Sequence, residues 1–206
     1  MPEAGTTRRI GVLVSGRGSN LQALIEAIGR GELKAVIAVV ISNVPAVAAL
    51  DRAAAAGIET LVLPHRDWPS REAYDEALAG ALSAKGCELV CLAGFMRRLS
   101  ARFLEVFDGP VLNVHPSLLP AFPGLDGPGQ ALTHGVKVAG CTVHLVAPEL
   151  DAGPIVAQAA VPVLPGDTRD TLAARVLVEE HRLLPWAVGR VLDGGWRLDG
   201  RRFLDA

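Results

Sequence analysis

The sequence predicts an α/β protein built on a doubly wound, mostly parallel sheet, with an antiparallel pair of strands added near its C-terminal part. Three observations lead there. Short apolar runs alternate with segments whose apolar residues recur at helical spacing, in a strand-helix order repeated through the first half of the chain. Those runs are continuous in Val, Ile, Leu and Ala rather than alternating with polar residues, as strands covered on both faces require. Past Lys137 the pattern changes: two extended runs, Val138 to Val146 and Ile155 to Val163, follow one another across a Gly/Pro turn.

Taken in order, Arg9 to Val14 is the first strand. Ser15-Gly16-Arg17-Gly18-Ser19-Asn20 follows it and opens the helical pattern Leu21, Leu24, Ile25, Ile28, with Ser19 or Asn20 expected as the cap. A second strand, Leu33 to Ile41, breaks at Ser42-Asn43-Val44-Pro45, and an alanine-rich helix from Ala46 to Ala56 ends at Gly57. Thr60 to Leu63 is the third strand, Pro64 to Pro69 a loop, and Ser70 caps a helix from Arg71 to Lys85. Glu88 to Ala93 and Pro110 to His115 are the fourth and fifth strands, with a helix capped by Ser100 between them. A loop dominated by proline and glycine, Ser117 to Gly129, leads to a short helix around Gln130 to His134. After the antiparallel pair, Asp167 or Thr168 caps a long helix to Leu192, kinked near Pro185, and Trp196 to Phe203 turns at Asp199-Gly200 as a terminal hairpin. The whole, residues 1–206, reads as one domain with its core over 10–192 and a tail at 193–206.

With 206 residues, half of them apolar, the chain can bury a full core. Its 20 basic and 22 acidic residues are interspersed and leave a formal charge of −2, so neither nucleic acid nor an anionic membrane is an expected partner. The longest apolar run, Ala35 to Ile41, is too short to span a bilayer, and the N-terminal stretch lacks the apolar core of a leader, which places the protein in the cytoplasm. Cys87, Cys91 and Cys141 lie in or near apolar strands without metal-ligand spacing and read as reduced core thiols.

Chemistry concentrates in Val111-Leu112-Asn113-Val114-His115-Pro116-Ser117-Leu118-Leu119-Pro120. A spacing of two in a strand puts Asn113 and His115 on one face, and a strand that ends at a proline delivers them to the rim of the sheet, where open α/β proteins bind ligands. Asp151, on the turn Glu149-Leu150-Asp151-Ala152-Gly153-Pro154, can orient the imidazole and favour its protonated form. Any one of these residues alone is more often a satisfied structural group, since Asn and Asp readily make local turns. The glycine-rich turn at Ser15 to Asn20 offers backbone N–H groups to a phosphate, though it matches neither the Walker spacing nor the dinucleotide fingerprint.

Ser15 to Ala23, Ala93-Gly94-Phe95-Met96-Arg97, Asn113 to Pro120 and Glu149 to Pro154 together resemble the phosphoribosylglycinamide formyltransferase family of purine biosynthesis, with order and spacing agreeing from about Ile10 to Leu192. The resemblance implies transfer of a formyl group from 10-formyltetrahydrofolate, as co-substrate, to the amine of 5′-phosphoribosylglycinamide, without a metal. It implies that Gly18, Ser19 and Asn20 hold the substrate phosphate and Glu180 the ribose hydroxyls. It further implies that Met96, Arg97, Arg98 and Leu99 meet one edge of the folate, Arg71 its glutamate tail, and Ala147, Pro148, Glu149, Leu150 and Asp151 the other wall, with Asn113 between. Without the resemblance, Arg71 is an ordinary surface arginine and Glu180 a solvated helix position. The sequence departs from relatives at Leu177, at Asp126-Gly127-Pro128 and at Ala121, which touches secondary contacts rather than the chemistry. His144 is a candidate second layer of the pocket; His65, His134 and His181 read as structural or surface residues.

On this reading Asn113, His115 and Asp151 form the catalytic set, acting on a tetrahedral species through hydrogen-bond donors and proton transfer. A formyltetrahydrofolate deformylase is the rival enzyme, but strand one begins within about ten residues of Met1, leaving no room for that enzyme's regulatory domain. Methionyl-tRNA formyltransferase would need a C-terminal extension for tRNA. A non-catalytic folate or nucleotide sensor on the same fold is the third possibility. The expected assembly is a monomer or homodimer.

Overall fold

The computed structural model of the chain describes residues 7–205, so the first residues of the stretch inspected for a leader fall outside the described part. It has two compact units, one running to Pro110 and the other from Val111. In the first, β1 (Arg8–Val14), β2 (Ala35–Ser42), β3 (Thr60–Val62) and β4 (Leu89–Leu92) pair in the order β3-β2-β1-β4, all parallel. They alternate with α1 (Ser19–Gly29), α2 (Ala48–Ala55), α3 (Arg71–Ala84) and α4 (Ala101–Val106). Strands are added outward from β1 to β3, and the chain then returns to the other side of β1. That reversal makes the sheet doubly wound and opens a crevice at the carboxyl ends of β1 and β4. Ile10, Val12, Leu13 and Val14 are wholly buried, so β1 is covered on both faces as its unbroken apolar run requires.

In the second unit, β5 (Val111–His115), β6 (Val138–Leu145), β7 (Ile155–Pro162), β8 (Trp196–Asp199) and β9 (Arg202–Asp205) follow the order β5-β6-β7-β9-β8. The β5–β6, β6–β7 and β8–β9 pairings are antiparallel and the short β7–β9 contact is parallel. The expected antiparallel pair and the terminal hairpin are both present. Two helices, α5 (Gly127–His134) and α6 (Arg169–Leu192), belong to this unit. Leu172 and Val176 of α6 close a core with Ala131 of α5, Ala139 and Cys141 of β6, and Val161 of β7.

Helix starts differ in part from expectation. Ser70 caps α3 through Ala73 N, as its residue type suggests. Ser19 and Asn20 do not cap α1: the helix begins at Ser19 itself and Gly18 holds the cap position with no side-chain hydrogen bond. Ser100 precedes α4 but makes no side-chain cap; its N–H instead donates to Asp75 Oδ2 at 2.6 Å. The helix expected around Gln130 starts at Gly127, because Asp126 accepts from Gly129 N and Pro128 stands in the first turn, where its missing donor is no loss. Thr168, rather than Asp167, caps α6 in a reciprocal box with Thr171.

The three cysteines are free and buried. Burial pushes Cys87 up to about 11 and Cys141 up to about 12, so neither offers a thiolate at neutral pH. Among the described residues, no helix is long and apolar enough to cross a membrane.

Asp167 anchors the start of α6 through bonds from both Arg175 Nη atoms, at 2.7 and 2.9 Å, from Leu164 N and from Thr171 Oγ1. The Arg175 guanidinium, then the Leu164 amide, hold its carboxyl well below the usual carboxylate range. A depressed folded-state pKa gives stability that is present above the unfolded value of about 4 and lost as pH falls through the folded one. Asp167→Asn is therefore expected to melt below the wild type at neutral pH, with the gap closing as pH drops through the acid range. Thermal melts from pH 7 to pH 3 with a constant gap would remove the charge from the account.

Candidate active site

The register of β5 against β6 builds the site in the second unit. Asn113 lies opposite His144 and His115 opposite Thr142. Because alternate residues share a face, these four side chains stand together. His144 and His115 are 2 % and 5 % exposed. Asp151 joins them from the turn after β6, with its side chain 7 % exposed. That turn is tight: Asp151 has φ 50°, and a Cβ on Gly153 would run into the Leu145 carbonyl oxygen.

The hydrogen bonds fix the protons of one imidazole. His144 Nδ1 is 3.0 Å from the Leu145 carbonyl oxygen, which can only accept, so Nδ1 carries the hydrogen. Burial lowers the pKa of His144, which keeps the ring neutral and leaves Nε2 an acceptor. The group 3.1 Å from Nε2 is then the amide nitrogen of Asn113, donating. This assigns the Asn113 amide orientation from chemistry.

His115 is placed otherwise. Its Nε2 is 2.9 Å from the Phe122 carbonyl oxygen and its Nδ1 is 3.5 Å from Asp151 Oδ2. Both ring nitrogens thus face acceptors, an arrangement that a ring carrying both hydrogens satisfies. Asp151 Oδ2 also accepts from Gly124 N at 2.7 Å, and Oδ1 is 3.9 Å from His144 Nε2. One buried carboxylate therefore sits between two imidazoles. Phe122 and Gly124 enter through main-chain groups, which no residue-type signal announces.

Ala147 to Asp151, the expected second wall for folate, forms a half-exposed edge beside this cluster, with Leu150 53 % exposed. Glu180 is 7 % exposed on α6, so it is not a solvated helix position. Leu177, three residues earlier, is half-buried.

The other expected site residues belong to the first unit. Gly18 has φ 73°, a left-handed conformation, and a Cβ there would lie 2.6 Å from Ala49 Cβ. Glycine is thus required by both backbone and packing, and the first turn of α1, from Ser19 and Asn20 on, carries no side-chain cap. After β4, Met96 is 68 % exposed and its N–H donates to Ser15 Oγ at 2.8 Å. Ser15 Oγ in turn donates to Asn43 Oδ1 at 2.6 Å, and Asn43 Nδ2 meets His65 Nδ1 at 3.3 Å. This relay through Ser15, Asn43 and His65 was not anticipated. Arg71 turns out to bind protein: its Nη2 donates to the Leu99 carbonyl oxygen at 2.7 Å. The Arg97 guanidinium lies 5.0 Å above the Tyr74 ring, a cation–π contact, and Arg98 is exposed. Among the described residues, no group of His, Cys, Asp and Glu could hold a metal ion.

The tautomer of His144 is directly measurable. A 1H–15N correlation spectrum at neutral pH is expected to show His144 protonated on Nδ1 and bare on Nε2, with protonation of Nε2 moved below the ordinary histidine value by burial. An Nε2–H tautomer would reverse the Asn113 amide and discard this assignment.

Comparison with known proteins agrees along the chain. The formyl transferase family matches residues 8–188. Phosphoribosylglycinamide formyltransferase of Escherichia coli (strain K12) is 44 % identical over 93 % of this chain and 93 % of its own length. The trifunctional purine biosynthetic protein adenosine-3 of Bos taurus is 50 % identical over 92 % of this chain, which spans 19 % of that longer protein. The crystal structure of glycinamide ribonucleotide transformylase 1 from Symbiobacterium toebii superposes with a TM-score of 0.95 at 50 % identity, covering 98 % of this chain and 96 % of that one. With parallel and antiparallel strands, glycine turn and buried His–Asp cluster in place, the chain belongs to the formyl transferase family.

Proposed function

We propose that the chain transfers the formyl group of 10-formyltetrahydrofolate to the amine of 5′-phosphoribosylglycinamide, in the cytoplasm, with its two units working as one formyltransferase domain. The observation that carries this reading is the buried Asp151 carboxylate between His115 and His144, with the Asn113 amide on the same face. Such a cluster supplies donors for an oxyanion and a route for one proton, which is what direct acyl transfer to an amine requires.

In that reaction the amine nitrogen bonds to the formyl carbon and the carbonyl pair moves onto oxygen. The bond from that carbon to folate N10 then breaks, the amine gives up one proton and N10 takes one. Asn113 donates to the developing oxyanion through the amide hydrogen not used by His144, and His115 is the second donor. One well-aimed donor lowers such a barrier by about 3–4 kcal/mol. Asp151 takes the amine's proton, directly or through water, and His115 passes one to N10. Since both nitrogens of His115 already face protein acceptors, the ring must exchange the Phe122 carbonyl for the reacting atoms.

Gly18, Ser19 and Asn20 take the substrate phosphate and Glu180 the ribose hydroxyls. Met96 to Leu99 in the first unit, and Ala147 to Asp151 in the second, are the segments that take the folate co-substrate. Arg71 acts on the folate edge through the Leu99 carbonyl that it already holds.

The decisive assay follows tetrahydrofolate release from formylfolate with and without phosphoribosylglycinamide. Release is expected only with the glycinamide; an equal rate in water alone would make the protein a deformylase. Asp151→Asn keeps the size of the side chain but loses the carboxylate base. Its kcat is expected to fall by about 10²- to 10⁴-fold while the KM for formylfolate changes little. A parallel loss of both substrates' affinities with kcat retained would reduce Asp151 to a turn former.

A further inference from the structure

Immediately after His115 the chain makes a set of contacts that the reaction does not call for. Thr142, wholly buried on β6, donates its hydroxyl to the Ser117 carbonyl oxygen at 2.7 Å and accepts from Leu119 N at 3.0 Å. Gln158 of β7 donates to the same hydroxyl at 3.0 Å and to the Leu119 carbonyl oxygen at 2.9 Å. Ser117 Oγ bonds Ala121 O at 2.6 Å, so residues 117–121 are closed on themselves as well as onto the sheet. Gly140 allows the close approach: a Cβ there would stand 2.8 Å from the Leu118 side chain. The chain then runs at once into Phe122, whose carbonyl meets His115, and Gly124, whose N–H meets Asp151.

From this we propose that Thr142 is a positioning residue. Its hydroxyl, with Gln158, sets where residues 117–121 leave the sheet, and so where the Phe122 carbonyl and the Gly124 amide hold the His115–Asp151 pair. The inference rests on the reading that this pair does the chemistry, and it adds residues that touch neither substrate. A hydroxyl with three partners, two of them main-chain groups of one loop, is a fixed point. Valine has the same shape and would fill the same strand position, but it offers the loop nothing.

The test is Thr142→Val in the full chain, with Thr142→Ser as its control. Thr142→Val is expected to lower kcat about 10- to 100-fold, the scale of a misplaced catalytic group. Both KM values should stay within about twofold, the mark of a change felt mainly in the transition state. Thr142→Ser should recover most of the loss. In an Asp151→Asn background the valine should cost little more, because the two changes act through one unit. An unchanged kcat in the folded valine variant, no rescue by serine, or full multiplication of the two losses would each overturn the proposal. Should Thr142→Val fail to fold, Gln158→Met removes two hydrogen bonds from the solvent side, those to the Thr142 hydroxyl and the Leu119 carbonyl, and an unchanged kcat there would overturn it equally. A further readout needs no activity: the His115 ring signals in a 1H–15N spectrum are expected to move in Thr142→Val and stay in place in Thr142→Ser. If the wild type itself transfers no formyl group, the functional reading fails while this spectrum still decides the positioning.

Discussion

The site depends first on the antiparallel pairing of β5 with β6 in one register. That register sets Asn113 against His144 and His115 against Thr142. A slip by one residue would move the whole polar set to the other face. What prevents the slip is apolar: Leu112, Val114, Val143 and Leu145, all buried, occupy the alternate positions of the same two strands. The hydrophobic requirement of one face therefore fixes the chemistry of the other.

A carboxylate buried in such a place needs compensation, since an isolated charge away from water is costly. Asp151 receives it from the Gly124 amide and from the His115 ring, and is delivered by a turn that only a glycine at 153 permits. The two histidines around it do different work. His144 spends its hydrogen on the Leu145 carbonyl and its lone pair on Asn113, so it sets an amide and holds no proton to give. His115 faces an acceptor at each nitrogen, so it is the ring that can carry and move one.

How far this was legible in the sequence follows from what leaves a mark on residue type. Asn113 and His115 show themselves because a strand has a period of two and ends here at a proline. Thr142 and His144 carry the same mark, two polar residues at the same spacing in an apolar run, but spacing within one strand says nothing of its partner's register. Only His144 was singled out, and without its role. Phe122 and Gly124 act through main-chain atoms and leave no mark at all. At α1, residue preferences mislead: Ser19 and Asn20 are good capping types, yet the left-handed turn at Gly18 starts the helix before either can cap it. At α5 the same preferences would have served, since Asp126 followed by Gly-Pro is a good helix start that the surrounding prolines and glycines conceal. Glu180 and Arg71 were open between surface and function. Burial removes the solvated reading for Glu180, and for Arg71 the Leu99 carbonyl supplies a partner that no composition could reveal.

The parts of the site also differ in what holds them. Asn113, His115 and His144 stand on paired strands, whereas the groups that complete the His115–Asp151 pair stand on loops. Phe122 and Asp126 are non-glycine residues with φ 56° and 60°, a conformation that costs roughly 1–2 kcal/mol apiece. Contacts keep the segment in place: Gln130 holds the Pro123 and Leu125 carbonyls, Arg169 holds Asp126, and His115 holds Phe122. Of these, the His115 contact is the one that the proposed formyl transfer would break. Phe122 lies on a loop, so opening this contact would remove no hydrogen bond of the sheet ladder. The paired strands thus fix the direction of the donors, and the bond that the proposed transfer would open lies outside their pairing, on a loop.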